Sequence, residues 1–315
     1  MNTRRRLGLA AAGPVLLLSM AACGASDGGA SNDGGGNDAS GVPASDVVSQ
    51  AKTDPAAVKL VPAAIEKRGS ITMAADLHYP PTSFLDADNK TPIGYNVDIA
   101  NLLGKTLGLK VEIKNVSFDS VIPGIAAGRY DFTATNMTPT PERLKVLDMV
   151  TYWSDGSSLV TSKGNALKLS ITDQLTLCGH KIAVMSGTTQ AETYLPDISS
   201  TCTSQGKKAV DPVVLPNVQA GLTQLSSKRV DGVFYDTPSL AWAAKQQPQA
   251  FELSPQQYKK KEGDNIVALG AAKNSALAPA LHAAMQSLMD GPAYKATLDK
   301  WSLGGGAIPT SDLLK

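Results

Sequence analysis

The sequence predicts an α/β fold built from two lobes, and two observations lead to this prediction. First, strand-like and helix-like segments alternate along residues 71–135, and a second alternation of the same kind runs over residues 181–235. Short apolar strands that alternate with helices form mostly parallel sheets with helices on both faces. Second, about 270 residues follow a Gly- and Ser-rich segment that ends at Gly41, and this is enough chain for two modest lobes.

The first series is expected to hold strands at 71–75, 111–116 and 130–135 and helices at 97–107 and 121–127. The helical assignment of 97–107 depends on apolar residues that recur at helical spacing, with Gly108 ending the run. Apolar and polar residues alternate over 111–116, as in a half-buried strand. These segments together predict a βαβαβ unit.

The second series is expected to hold strands at 181–185, 213–215 and 230–235 and helices at 189–195 and 218–225. A further apolar strand at 266–272 and helices at 276–289 and 294–301 follow it. Because this tail comes after the second series is complete, we expect it to return to the first lobe.

Residues 1–22 predict a secretory signal peptide: positions 4–6 are arginine, an apolar run covers 7–20, and small residues precede Cys23. The run is shorter than the roughly 18 to 20 residues of a membrane-spanning helix and is interrupted by Gly13 and Pro14, which excludes a permanent transmembrane anchor. The placing of Cys23 resembles a lipobox, so we expect a lipid-anchored, extracytoplasmic protein. The alternative is a signal peptide cut elsewhere, and the export route, general or twin-arginine, stays open.

Residues 24–41 contain only Gly, Ala, Ser, Asn and Asp, which cannot bury apolar surface. The segment 23–60 is therefore expected to be a flexible tether. The remaining chain is assigned to lobe 1, residues 61–160 plus 268–315, and to lobe 2, residues 161–267.

Composition excludes some partners. A net charge of +1 and a pI near 7.6 leave no basic surface to predict nucleic-acid binding. Cys178 and Cys202 follow the export signal, so a disulfide is the natural pairing, and two separate buried thiols are the alternative. His78, His180 and His282 are scattered singly, and we predict neither a metal site nor a cofactor.

Several segments resemble, in order and spacing, the family 3 solute-binding proteins, which are receptors of amino-acid ABC importers. The first half of the chain carries the resemblance at 79–81, 94–100, 118–125, 128–131 and in Thr-Pro-Thr-Pro-Glu-Arg at 138–143. The second half carries it at 186–190, 230–236 and 291–294. Asn96 departs from the pattern, since the family usually has an acidic residue there.

The resemblance implies a periplasmic-binding fold of type II: two α/β lobes joined by two crossings, expected near 159–162 and 265–271, with the ligand closed between them. It also implies a monomer without enzymatic activity that binds an amino acid and delivers it to permease subunits. A free amino acid carries a carboxylate and an ammonium, and each of these groups needs a partner when it is buried.

Four residues carry the implied roles most directly. Arg143 clamps the ligand carboxylate, Thr138 helps to hold it, Thr189 offers a helix start to the same anion, and Asp236 accepts the α-ammonium. Structural alternatives are a surface ion pair of Arg143 with Glu142 or Asp148, a helix cap for Thr189 and a turn for Asp236.

The other implied contacts are secondary. Asn136 and Gln190 line the pocket, Asp76 and Tyr79 meet the ligand's side chain, and Phe118 stacks on the ligand or belongs to the core. Asp76 would suit a cationic side chain.

Two other functions remain possible on the same fold. One is an enzyme such as a cyclohexadienyl dehydratase, although no paired carboxylates are clearly placed for chemistry. The other is a solute sensor that works without a transporter. Fold alone does not decide between them.

Overall fold

The structure, a computed structural model, describes residue 43 and residues 45–258 and 265–315. The predicted signal peptide, Cys23 and residues 24–42 of the tether lie outside the described residues. The strands, in chain order, are β1 Ser70–Ala75, β2 His78–Tyr79, β3 Ser83–Leu85, β4 Pro92–Ile93, β5 Lys110–Asn115, β6 Phe132–Met137, β7 Leu147–Ser154, β8 Ser157–Ser162, β9 Lys181–Met185, β10 Asp211–Leu215, β11 Gly232–Asp236, β12 Phe251–Leu253, β13 Ile266–Ala272 and β14 Leu313–Leu314.

The α-helices are α1 Pro55–Val58, α2 Ala63–Arg68, α3 Tyr95–Leu107, α4 Phe118–Ala126, α5 Pro141–Leu144, α6 Leu195–Ser204, α7 Val218–Ser226, α8 Thr237–Gln246, α9 Ala278–Asp290 and α10 Pro292–Lys300. A single π-helical turn, Gln190–Tyr194, precedes α6. Within the described residues, no helix combines the length and the apolar character that a membrane crossing requires.

The first lobe is built on a six-stranded sheet with the strand order β14-β7-β13-β6-β1-β5. β5, β1 and β6 are parallel, and β13, β7 and β14 extend the sheet in antiparallel orientation. The parallel half is the predicted βαβαβ unit, in which α3 joins β1 to β5 and α4 joins β5 to β6. Gly108 ends α3 with a φ of 68°, a left-handed conformation that glycine adopts without steric cost.

The C-terminal helices complete the core of this lobe. Ile99 and Leu102 of α3 are fully buried in one cluster with Leu281 and Met285 of α9. Each such side chain contributes roughly 1.5 to 3 kcal/mol through burial. In the structure β13, α9 and α10 all belong to the first lobe.

The second lobe contains a five-stranded sheet with the order β10-β9-β11-β8-β12. β10, β9 and β11 are parallel, whereas β8 runs antiparallel to β11 and β12. The predicted disulfide is present: Cys178 and Cys202 are bonded with a Cα–Cα distance of 5.6 Å, linking the segment before β9 to α6. The structure thus confirms the predicted α/β class.

The two lobes are joined by short crossings. β7 of the first sheet ends at Ser154 and β8 of the second begins at Ser157, so only Asp155 and Gly156 lie between them. On the return, Ile266 of β13 already pairs with Ser154. The first crossing therefore precedes the predicted position at 159–162, because the pairing of β8 with β11 draws all of 157–162 into the second lobe. The return ends at Asn265, the first residue of the predicted range 265–271, because residues 266–271 are already strand residues of the first sheet.

The start of the folded region also differs from the expected boundary at residue 60. Val47, Ala51 and Ala57 are buried, and Ala51 and Ala57 belong to the main core of the first lobe. Asp54 caps α1 by accepting hydrogen bonds from the N–H groups of Ala56 and Ala57. Residues 45–60, predicted as the end of the tether, are therefore packed against lobe 1.

Candidate functional site

The candidate site lies between the lobes, where strands of both sheets end. From lobe 1 it receives the loop after β6 and the first turn of α4. From lobe 2 it receives the turn after β9 and the end of β11. Ligands of open α/β sheets bind outside the carboxyl ends of parallel strands, and this is the same arrangement.

A small cavity at this position is lined by nine residues: Phe118, Asn136, Thr138, Arg143, Thr188, Thr189, Gln190, Tyr235 and Asp236. Seven of them are residues that the sequence predicted as ligand contacts. The enclosed space is only about 10 Å³, whereas ligand pockets usually measure some 300 to 1,000 Å³. The lobes are therefore closed against each other in this conformation.

Arg143 connects the two lobes. Thr140 caps the short helix α5 and so fixes the backbone of Arg143. One guanidinium nitrogen donates to the carbonyl of Thr138 on the same lobe, and the other donates to the carbonyl of Gly187 on the second lobe, both at 2.9 Å. Burial lowers the pKa of Arg143 from its usual value, with nearby acidic groups acting in the opposite direction. The predicted alternative, a surface ion pair, does not describe this buried side chain.

Asn136 is held by a hydrogen-bond network beneath the cavity. Its φ of 53° is left-handed, a conformation that asparagine tolerates better than most residues. Its N–H donates to the hydroxyl of Tyr152 at 3.2 Å, and that hydroxyl donates to Asn96 at 2.7 Å. The Asn96 amide in turn donates to the Asn136 side-chain oxygen at 3.1 Å. Asn96, the position where the sequence departs from the family pattern, therefore supports the site without lining it.

Asp236 ends β11 and faces the cavity from lobe 2. The side-chain amide of Gln190 donates to its carboxylate at 2.8 Å and to the hydroxyl of Ser157 at 2.7 Å. Burial raises the pKa of Asp236 to about 6, although hydrogen bonds from Gln190 and Asn136 and the charge of Arg143 favour the ionised form. Asp236 is thus an anion held in a costly environment, which a cationic ligand group would stabilise.

Asp76 and Tyr79, also predicted as ligand contacts, do not line the cavity. Asp76 is buried, accepts from the N–H of Phe118 at 3.0 Å, and lies 2.5 Å from a ring nitrogen of His78. Burial raises the pKa of Asp76, and the contact with His78 partly opposes this. Tyr79 stacks on Tyr235 with 5.1 Å between ring centroids, one layer behind the cavity wall.

Other contacts hold the closed arrangement. The hydroxyl of Ser186 on lobe 2 donates to Asp119 on lobe 1 at 3.2 Å, and the rings of Phe84 and Trp242 approach to 6.0 Å across the lobes. Arg143 also borders a second, larger cavity of about 590 Å³, which is lined by residues of both lobes.

Sequence reasoning missed several residues of the site. Thr188 and Tyr235 line the cavity, and Tyr152 and Ser157 support it. Thr188 and Tyr235 directly precede predicted residues, so proximity along the chain was the signal that could have found them. Tyr152 and Ser157 carry no such signal, because their roles depend on contacts between separate elements.

Comparison with known proteins supports the family resemblance seen in the sequence. The family model described as bacterial extracellular solute-binding proteins, family 3, matches residues 71–304. The arginine-binding protein ArgT of Corynebacterium glutamicum is 27% identical over 258 residues, which cover 81% of each chain. A putative ABC transporter arginine-binding protein of Escherichia coli is 28% identical over 236 residues, covering 74% of this chain and 90% of the relative.

Solved structures agree with this similarity. An ancestral arginine-binding protein bound to arginine superposes with a TM-score of 0.65 at 27% identity, covering 74% of this chain and 98% of the other. An ancestral amino-acid-binding protein, described as a precursor of cyclohexadienyl dehydratase, has a TM-score of 0.62 at 24% identity over 76% of this chain and 97% of its own, which shows a shared fold alone. The two-lobe fold is thus the type II periplasmic-binding fold that the sequence implied.

Proposed function

Because the chain belongs to the bacterial extracellular solute-binding proteins of family 3, we propose that it captures a free amino acid between its lobes and delivers it to the permease of an ABC importer. The observation that carries this proposal is the placing of two opposite charges on one cavity, Arg143 from lobe 1 and Asp236 from lobe 2. A free amino acid carries the matching pair, a carboxylate and an ammonium.

The carboxylate would bind Arg143. In the closed structure one guanidinium nitrogen donates to the Gly187 carbonyl, a bond that opening of the lobes would break. A carboxylate can replace that carbonyl and accept two parallel hydrogen bonds from the planar guanidinium. The hydroxyls of Thr138 and Thr189 lie on the same cavity and offer further donors.

The ammonium would bind Asp236, whose carboxylate already accepts one hydrogen bond from Gln190. Gln190 orients the carboxylate, and the remaining lone pairs can accept N–H groups of the ligand. Because Arg143 and Asp236 belong to different lobes, a ligand that satisfies both stabilises the closed form.

For the side chain of the ligand, we propose a cationic amino acid, with L-arginine as the first candidate. This rests on the names of the relatives, several of which are arginine-binding proteins. Asp76 lies outside the cavity lining, so it does not support this choice of ligand.

Isothermal titration calorimetry of the protein with each of the twenty amino acids tests the proposal. We expect saturable binding of at least one of them, with one site per chain. Arg143→Ala should lose this binding, while the exposed Arg129→Ala, a matched control, should keep it. If no amino acid binds, or if both arginine variants bind equally well, the proposed function is wrong.

We also propose that the protein acts as a monomer held at the outer face of the cell membrane by a lipid on Cys23, with the following segment as a tether. Cys23→Ser should release the protein into the medium or leave the uncut precursor. A fully processed Cys23→Ser protein that stays with the membrane fraction would contradict the anchor.

A further inference from the structure

A second carboxyl group, that of Asp155, lies behind Asp236 in the first crossing between the lobes. Ser157 pairs with Asp236 in the antiparallel ladder of β8 and β11, and the pairing continues past the strand end, where the N–H of Thr237 donates to Gly156 at 2.6 Å. Residues two apart on a strand, and residues directly opposite each other, share one face of a sheet. Ser157 and Asp236 therefore share one face, and Asp155, two residues before Ser157 in the crossing, lies close enough for the charge of Asp236 to act on its carboxyl group.

The carboxyl group of Asp155 is enclosed without a strong partner. Its two oxygens are out of contact with solvent and make no hydrogen bond of normal geometry to the residues that the structure describes. Burial, and then the negative charge of Asp236, raise the pKa of Asp155 well above its usual value, and the N–H of Gly156 offsets part of this. An unpaired carboxylate in such a place is strongly disfavoured relative to the neutral acid.

The enclosure of Asp155 depends on the closed arrangement of the lobes. Asp155 borders a cavity of about 330 Å³ at the hinge, lined from lobe 1 by Trp153 and the loop 302–306 and from lobe 2 by Thr237 and Pro238. Its own N–H donates to the carbonyl of Asn265 at 2.7 Å, so the two crossings are bonded to each other at this residue. Rotation of one lobe about the crossings changes the packing around the carboxyl group.

We propose that Asp155 is a proton-holding residue of the ligand site, which takes up a proton when the lobes close around an amino acid. This inference rests on the proposed function. It gives Asp155 a role in setting the charge of the cleft: with Asp155 neutral, Asp236 is the one anion that receives the ligand's ammonium.

The charge environment decides the direction of the linkage. Within the described part of the chain, the titratable groups that act on Asp155 are Asp236, Tyr152 and Tyr235, and the other residues that line the hinge cavity are not titratable. Arg143 acts on Asp236 from the opposite side of the cleft. A group that binds its proton more tightly in the closed, liganded state takes up protons on binding, so affinity increases as the pH falls.

The test is calorimetry at pH 7 with the tightest-binding of the twenty amino acids, in buffers of different ionisation enthalpy. The wild-type protein should take up as much as roughly one proton per ligand, and its affinity should rise by up to about tenfold per pH unit between pH 8 and pH 6.5. Asp155→Asn, which keeps the shape of the side chain, should remove both effects. Asp211→Asn, an exposed control at the start of β10, should leave them unchanged.

Equal proton uptake in the wild-type protein and in Asp155→Asn would overturn the inference. A wild-type affinity that does not change between pH 8 and pH 6.5 would overturn it without any variant. If none of the amino acids binds, the proposed function itself fails, which is a different result from binding without proton uptake.

Discussion

Asp236 is expected to lower the stability of the folded protein at neutral pH while it provides binding energy. Its pKa is raised by burial to about 6, from a reference value of 3.8. Each unit of pKa difference corresponds to about 1.4 kcal/mol, so the ionised group costs at most about 3 kcal/mol above pH 6. Asp236→Asn removes the charge and keeps an oxygen that can accept from Gln190.

The sign of the pH dependence follows from the raised pKa. Between pH 4 and pH 6 the folded protein binds this proton more tightly than the unfolded chain does, so the contribution of Asp236 to stability falls as the pH rises through that window. The Asp236→Asn variant does not lose stability in this way, because the asparagine amide does not ionise. We therefore expect the variant to be more stable than the wild type by about 1 to 3 kcal/mol at pH 7, and the difference to shrink towards pH 4.

Urea unfolding at pH 7 and at pH 4.5 measures the free energy of unfolding, and calorimetry measures ligand affinity in the same variant. Removal of one member of a buried charge pair typically costs about 2 to 5 kcal/mol, so affinity should fall by at least about 30-fold. Asp211→Asn, on the exposed edge of the second sheet, should change neither quantity. If Asp236→Asn is destabilised at pH 7, or binds ligand within threefold of the wild type, the reasoning about this carboxylate is wrong.

Three further predictions concern Arg143, the contact of Gly187 with the other lobe, and the disulfide. Arg143→Ala should weaken amino-acid binding by at least about 30-fold in calorimetry while the unliganded protein stays folded, and a loss below threefold would contradict its role. Gly187→Ala should strain the closed arrangement, because the φ of +76° at this residue disfavours a side chain and a Cβ atom there would lie 3.2 Å from Cα and Cβ of Asp119 on the other lobe; amino-acid affinity in calorimetry should fall, and an unchanged affinity would count against it. Replacing Cys178 and Cys202 together by alanine should lower the free energy of unfolding in urea by roughly 3 kcal/mol, given the 24-residue separation, and an unchanged midpoint would contradict this.

The sequence predicted those parts of the fold that depend on local patterns. The segments 71–75, 181–185 and 266–272 are strands in the structure within one residue of the predicted bounds. Leu147–Ser154 and Ser157–Ser162 were not predicted as strands. Their strand character depends on antiparallel pairing with β13 and β11, partners about 75 to 120 residues away along the chain, and no local alternation marks it.

The candidate site divides in a similar way. Most residues that line the cavity were predicted from the family resemblance. They belong to short motifs whose residues are close together in the chain, as Thr138 and Arg143 are. The support of Asn136 by Asn96 and Tyr152 could not be predicted, since those hydrogen bonds join residues 40 and 16 positions from Asn136. The position of Asp76 outside the cavity could not be predicted either, since its carboxylate accepts from the N–H of Phe118, 42 positions along the chain.

The most direct test of the central claim, capture of an amino acid by opposite charges from the two lobes, is a calorimetric comparison of three ligands. They are the amino acid that binds, its α-amide, which lacks the carboxylate for Arg143, and its Nα-acetyl derivative, which lacks the ammonium for Asp236. We predict that each derivative loses at least about 30-fold in affinity. Binding of either derivative within threefold of the free amino acid would contradict the claim.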